Sequence, residues 1–171
     1  MWLVIGYGNS LYSDDGFGIA VAVAMRAQVK DDNVSILACQ TLNLELIDDI
    51  ARADGVIFVD ITTELKPGEW QCTDLCSGQT TDDQSSTDTN AQLRDDSSKP
   101  ITSGNALFTH HTEPNLLIEA AGALYGNAPN SWLYTVGGKD FSLGEKLSSE
   151  VRCMVPLIIQ LIRQRIDLES T

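Results

Sequence analysis

Apolar residues fall into short blocks separated by polar stretches. Trp2-Leu-Val-Ile-Gly6 is continuously apolar and closed by glycine, the pattern of a parallel strand buried on both faces. Gly16 to Ala27, rich in Ala and Val, predicts a helix, and Val34-Ser-Ile-Leu37 a second strand. Asn43 to Ala53 predicts a second helix, with Leu44, Ile47 and Ile50 at helical spacing, and Val56-Ile-Phe-Val59 a third strand. Strands alternating with helices imply right-handed βαβ crossovers, hence an α/β fold of three layers, α/β/α, with a mostly parallel sheet and helices on both faces.

Beyond Pro67-Gly68, a turn, Glu69 to Cys72 reads as an edge strand. The stretch from about 73 to 100 is dense in Ser, Thr, Asp, Gln and Asn and cannot build a core, so it is expected to be an exposed, mobile insertion within one domain spanning 1–171. Leu107-Phe108 leads into Thr109-His-His-Thr112. Glu113 to Tyr125 then predicts a helix capped by Thr112, with Pro114 in its first turn and Gly126 closing it. Ser131 to Val136 is a further strand, followed by Gly137-Gly138. Leu147 to Ile166 predicts a helix that Pro156 kinks or divides, with Leu157, Leu161 and Arg165 on one stripe.

Charge narrows the functions available. A formal net charge of −13 repels phosphate backbones and anionic membranes, so neither nucleic acid nor a membrane surface is an expected partner, although part of the excess lies between Thr73 and Lys99. No run reaches the roughly 18 apolar residues that span a bilayer. Met1 opens on an apolar strand with no basic flank or cleavage site, so the expected location is cytoplasmic. Cys39, Cys72, Cys76 and Cys153 make neither a zinc nor a disulfide framework at their spacing, and they read as reduced thiols.

The candidate chemistry lies at the carboxyl ends of strands, where open α/β sheets bind ligands. Gly6-Tyr-Gly-Asn-Ser-Leu-Tyr-Ser-Asp-Asp-Gly-Phe-Gly18 places glycines and two acids on the loop after the first strand. A dinucleotide fingerprint would need glycine where Leu11 stands, and acids there would repel a pyrophosphate. Asp60 directly follows the third strand; an acid in that place is either a turn cap or a functional group. The only histidines, His110 and His111, open a helix, where either could equally be a cap or a surface residue. Together, Asp15, Asp60 and one imidazole offer the oxygen and nitrogen donors that suit nickel or zinc.

The pattern Gly-x-Gly-Asn-x-Leu-x-x-Asp-Asp-Gly-x-Gly, the Phe-Val-Asp strand end and His110 in His-His-Thr-Glu-Pro resemble the hydrogenase maturation proteases, over about residues 2–61 and 106–157. Cys39-Gln-Thr-Leu-Asn-Leu-Glu-Leu46 further resembles the branch serving soluble bidirectional hydrogenases. The resemblance implies an endopeptidase that removes the carboxy-terminal extension from the large-subunit precursor of a nickel–iron hydrogenase after nickel insertion. It implies that Asp15, Asp60 and His110 act catalytically and sense nickel supplied by the substrate, a role that zinc or cadmium could mimic in vitro. His110 is preferred to His111 as ligand because it stands four residues before Pro114. A monomer docking transiently on the precursor is also implied. Where some relatives carry Asp-Gly-Gly-Thr this chain has Ala38-Cys-Gln-Thr41, so no acid role is expected there. The other readings are a non-catalytic nickel-binding maturation chaperone and, disfavoured by Leu11, a nucleotide-binding regulator.

Overall fold

The computed structural model describes residues 1–75 and 113–170. Among them a five-stranded sheet runs in the order β2-β1-β3-β5-β4, formed by β1 (Trp2–Tyr7), β2 (Val34–Cys39), β3 (Gly55–Thr62), β4 (Trp70–Asp74) and β5 (Asn130–Gly137). β1, β2, β3 and β5 are mutually parallel, and only the edge strand β4 is antiparallel. The order turns outward in opposite directions from β1, so the switch point of the sheet lies between β1 and β3.

Alternation along the central strands divides the core into two halves. Val4, Ile57, Val59, Trp132 and Val136 meet α1 (Phe17–Gln28) and α5 (Met154–Glu169) on one face. Leu3, Ile5, Val56 and Phe58 meet α2 (Leu46–Arg52) and α3 (Pro114–Tyr125) on the other. The result is the expected three-layer α/β/α arrangement. α1 buries Phe17, Val21, Ala22 and Met25, a stripe that turns the helix toward the sheet along its whole length.

Several boundaries differ from those expected. The third strand does not end at Val59 but continues to Thr62, so Asp60 is a half-buried strand residue and not a cap beyond the strand. The second helix begins at Leu46, because the Asn43 side chain accepts a hydrogen bond from Glu45 N and holds a turn before it; Leu44 falls outside the helix and is exposed. The cap position of α3 falls on Glu113, with Pro114 first in the helix and Gly126 left-handed at its end.

The last apolar run divides as expected, but ahead of the proline: α4 (Ser149–Arg152) stops at Cys153, and Pro156 lies in the first turn of α5. A backbone N–H there has no intrahelical acceptor, so proline loses no bond. The buried stripe of α5 is Ile158, Ile159, Ile162 and Ile166, leaving Leu157 exposed. Arg165, expected on the apolar stripe, instead places its guanidinium 5.1 Å from the Trp132 ring centroid. The expected polar insertion starts later than 73: Thr73 and Asp74 complete β4, and Leu75 packs on the core and donates its N–H to Ser131 O. The remainder of that insertion, Cys76 and the Leu107-Phe108 segment lie outside the described residues. No described helix is long and apolar enough to cross a membrane.

Candidate active site

The loop after β1 turns back on itself because its glycines allow close contact. Gly8 has φ of +132°, and a Cβ there would lie 2.0 Å from Asp15 O. A Cβ on Gly18 would lie 2.3 Å from Tyr7 O and 2.4 Å from Val59 O, so glycine lets the start of α1 rest on the ends of β1 and β3. The motif that resembles a phosphate loop therefore serves to press a short 3-10 turn, Ser13–Gly16, against the sheet edge.

The two acids of that turn have separate surroundings. Asp14 is fully buried and accepts four hydrogen bonds, from the backbone N–H groups of Lys139, Asp140 and Ser148 and from Ser148 Oγ, at 2.6–2.9 Å. It ties residues 139–148 to the first loop, helped by Ser13 N to Gly144 O and Gly144 N to Leu11 O. Asp15 is half-buried, accepts only the Asn9 N–H, at 2.8 Å to Oδ2, among the bonds described, and lines a cleft of about 870 Å³.

Asp60 lines the same cleft from β3, with Oδ1 accepting its neighbour's N–H, from Ile61, at 2.8 Å. Asp15 and Asp60 thus approach one space from either side of the switch point. His110 and His111 lie outside the described residues; the helix they precede enters the cleft wall with Glu113, Pro114 and Asn115. Among the described residues no three His, Cys, Asp or Glu side chains group closely enough to hold an ion, so the two aspartates need a further donor to do so.

Tyr7, which sequence reasoning passed over, borders Asp60 on the cleft floor. Burial pushes its phenol well above the usual range, and the charge of Asp60 and a hydrogen bond to it push further the same way, so the O–H remains a donor to that carboxylate. The apolar pattern of the sequence ends the first strand at Gly6 and leaves Tyr7 in the loop, whereas β1 runs through it; an aromatic with a hydroxyl between two glycines at the strand end was the available signal. Burial also raises the Cys39 thiol, away from the thiolate that nucleophilic attack requires. At the amino edge of the sheet a smaller recess of about 420 Å³ is lined by Trp2, Asn33, Trp132 and two acids, Asp54 and Glu169, and lies at the opposite end of the strands from the switch-point cleft.

No family model matches the chain. Hydrogenase expression/formation protein HupD of Bradyrhizobium diazoefficiens is 30% identical over 167 residues, which cover 95% of this chain and 76% of that protein. The NiFe hydrogenase maturation protease HycI from Thermococcus kodakarensis KOD1 has the same fold, with a TM-score of 0.68 at 22% identity over 95% of this chain and 90% of that one. The hydrogenase maturating endopeptidase HybD from E. coli gives a TM-score of 0.69 at 19% identity, covering 98% and 93% of the two chains. With the HupD likeness running nearly end to end along this chain, and the acids of its first loop and third strand facing one cleft, the chain belongs to the hydrogenase maturation protease family.

Proposed function

We propose that this chain is an endopeptidase that removes the carboxy-terminal extension of a nickel–iron hydrogenase large-subunit precursor once nickel is inserted. The observation that carries this reading is the meeting of Asp15 and Asp60, from opposite sides of the switch point, in one cleft large enough for a peptide. The family name of its relatives supports the reaction class, and the Cys39–Leu46 segment supports a soluble bidirectional hydrogenase as the one served. The enzyme acts as a monomer in the cytoplasm and docks transiently on its substrate.

Peptide hydrolysis requires a water deprotonated as it attacks the carbonyl carbon, a stabilised oxyanion, and a proton for the departing amine. In the favoured version Asp15, Asp60 and His110, with His111 as the substitute ligand, grip the precursor's nickel and so bring the scissile bond against the cleft floor. Nickel, or zinc or cadmium in its place, supplies Lewis acidity to the carbonyl when held there. The water's proton passes to a carboxylate while the C–N bond breaks and the amine takes up a proton. In a second version Asp15 and Asp60 share a proton and one serves directly as general base. A raised Cys39 thiol and a half-buried setting against the apolar core for Cys72 favour water over a covalent thioester route.

The test is to incubate the chain with nickel-loaded and nickel-free large-subunit precursor and weigh the products. Loss of a carboxy-terminal peptide from the loaded form alone is expected. Binding of an uncut precursor identifies a nickel-binding chaperone instead, and absence of binding removes both.

A further inference from the structure

The floor of the cleft is a row of side chains on adjacent strands. Asp60 of β3 pairs with Thr135 of β5, and Thr135 pairs in turn with Gln71 of β4. Tyr7 ends β1 one step beyond the Gly6–Val59 pair, which puts it beside Asp60. Strand alternation directs all four to the face that carries α2 and α3, and all four line the cleft.

One member of this row is out of keeping with its surroundings. Thr135 is 7% exposed, and among the described residues its Oγ1 is the buried side-chain polar atom with no hydrogen-bond partner. A buried hydroxyl left unpaired is unfavourable, and valine would fill the same space without that penalty. Thr135 lines the cleft beside the carboxylate assigned to the chemistry, so a partner for its hydroxyl can arrive with a substrate that seats on the cleft floor. A lone hydroxyl is a weak ligand for a metal ion but is both donor and acceptor, as is the Gln71 amide next in the row, and the two together match the alternating C=O and N–H groups of an extended peptide.

We propose that Thr135 is a substrate-binding residue, whose hydroxyl hydrogen-bonds the main chain of the precursor's carboxy-terminal peptide beside the bond presented to Asp60, with Gln71 continuing the contact toward the edge of the sheet. This rests on the endopeptidase reading and adds the path along which the peptide lies: across the strands from β3 over β5 to β4.

The experiment compares wild type, Thr135→Val, Thr135→Ser and Asp60→Ala on nickel-loaded precursor, with melting temperatures measured in parallel. Thr135→Val is expected to lower kcat/KM about tenfold, mainly through KM, while its melting temperature is unchanged or higher. Thr135→Ser, which restores the hydroxyl, should recover cleavage close to the wild-type rate. A merely structural threonine would move the other way, losing stability on conversion to valine. Cleavage by Thr135→Val at the wild-type rate, or a loss of activity matched by a loss of stability, overturns the inference while an inactive Asp60→Ala leaves the endopeptidase reading standing. A wild-type chain that leaves the precursor whole removes that reading and this inference with it.

Discussion

Asp14 and Asp15 are neighbours in the chain and of one chemical type, yet they belong to different regions. Asp14 lies in a sealed junction where four donors satisfy its carboxylate, and it faces no open space. Asp15 is steadied by a backbone N–H, its counterpart Asp60 by a backbone N–H and the Tyr7 hydroxyl, and both look onto a cleft. A carboxylate whose lone pairs are spent on the protein holds the scaffold; one that is oriented but still accessible is available to a substrate. The pair shows that burial and partner count, more than residue identity, separate framework from chemistry.

The sharpest test of that contrast is Asp60→Ala, which should reduce precursor processing at least about a thousandfold while leaving the melting temperature nearly unchanged. A variant that still processes would break both versions of the mechanism. Asp14→Ala should do the reverse: stranding three backbone N–H groups that now share one carboxylate costs about 3 kcal/mol, read as a melting temperature lower by about 6–12 °C. If that substitution left stability untouched, the division between scaffold and cleft would be wrong. Asp15→Asn should fold normally and weaken binding of nickel-loaded precursor by about tenfold, measured by titration against the nickel-free form.

The smallest effect concerns the exposed pair that flanks the junction. The Lys139 ammonium holds the Glu150 carboxyl down to about 2. A carboxyl lowered by folding stabilises above its unfolded value and loses that contribution as pH falls through the folded one, so the pair acts fully near neutrality and fades between about 4.5 and 2. Lys139→Met should flatten the acid side of the stability curve slightly, and more weakly in high salt, as expected of a solvent-exposed pair. An effect as large as that of Asp14→Ala would mean the junction is held by its surface charges.

The strands and their order of appearance were legible because fully buried parallel strands read as unbroken apolar runs, and the glycine-and-acid loop was legible because few functions need that composition. What the sequence withheld depends on facing directions and neighbours. Asp60 looked like a residue past a strand, since an apolar run ending in an acid gives no sign that the backbone stays paired up to Thr62. Thr135 was hidden inside an apolar strand, and its pairing with Asp60 exists only once β3 and β5 lie side by side. Asp14 could not be told from Asp15 by spacing, because its donors come from residues more than a hundred positions away. The stripe on α5 was misread because the Leu157, Leu161 and Arg165 row and the isoleucine row one residue further on are both compatible with helical periodicity, and the sheet decides between them.

The clasp between the first loop and residues 139–148 has a consequence for protein engineering. Backbone groups of Leu11, Ser13 and Asp14 bond to Asp140 and Gly144 while the Asp14 carboxylate gathers three amides from the far segment. Each stretch is held in place by bonds to the other. Exchanging one of them with a relative's counterpart would leave mismatched halves, so a chimera intended to redirect this enzyme to another precursor must transplant both together.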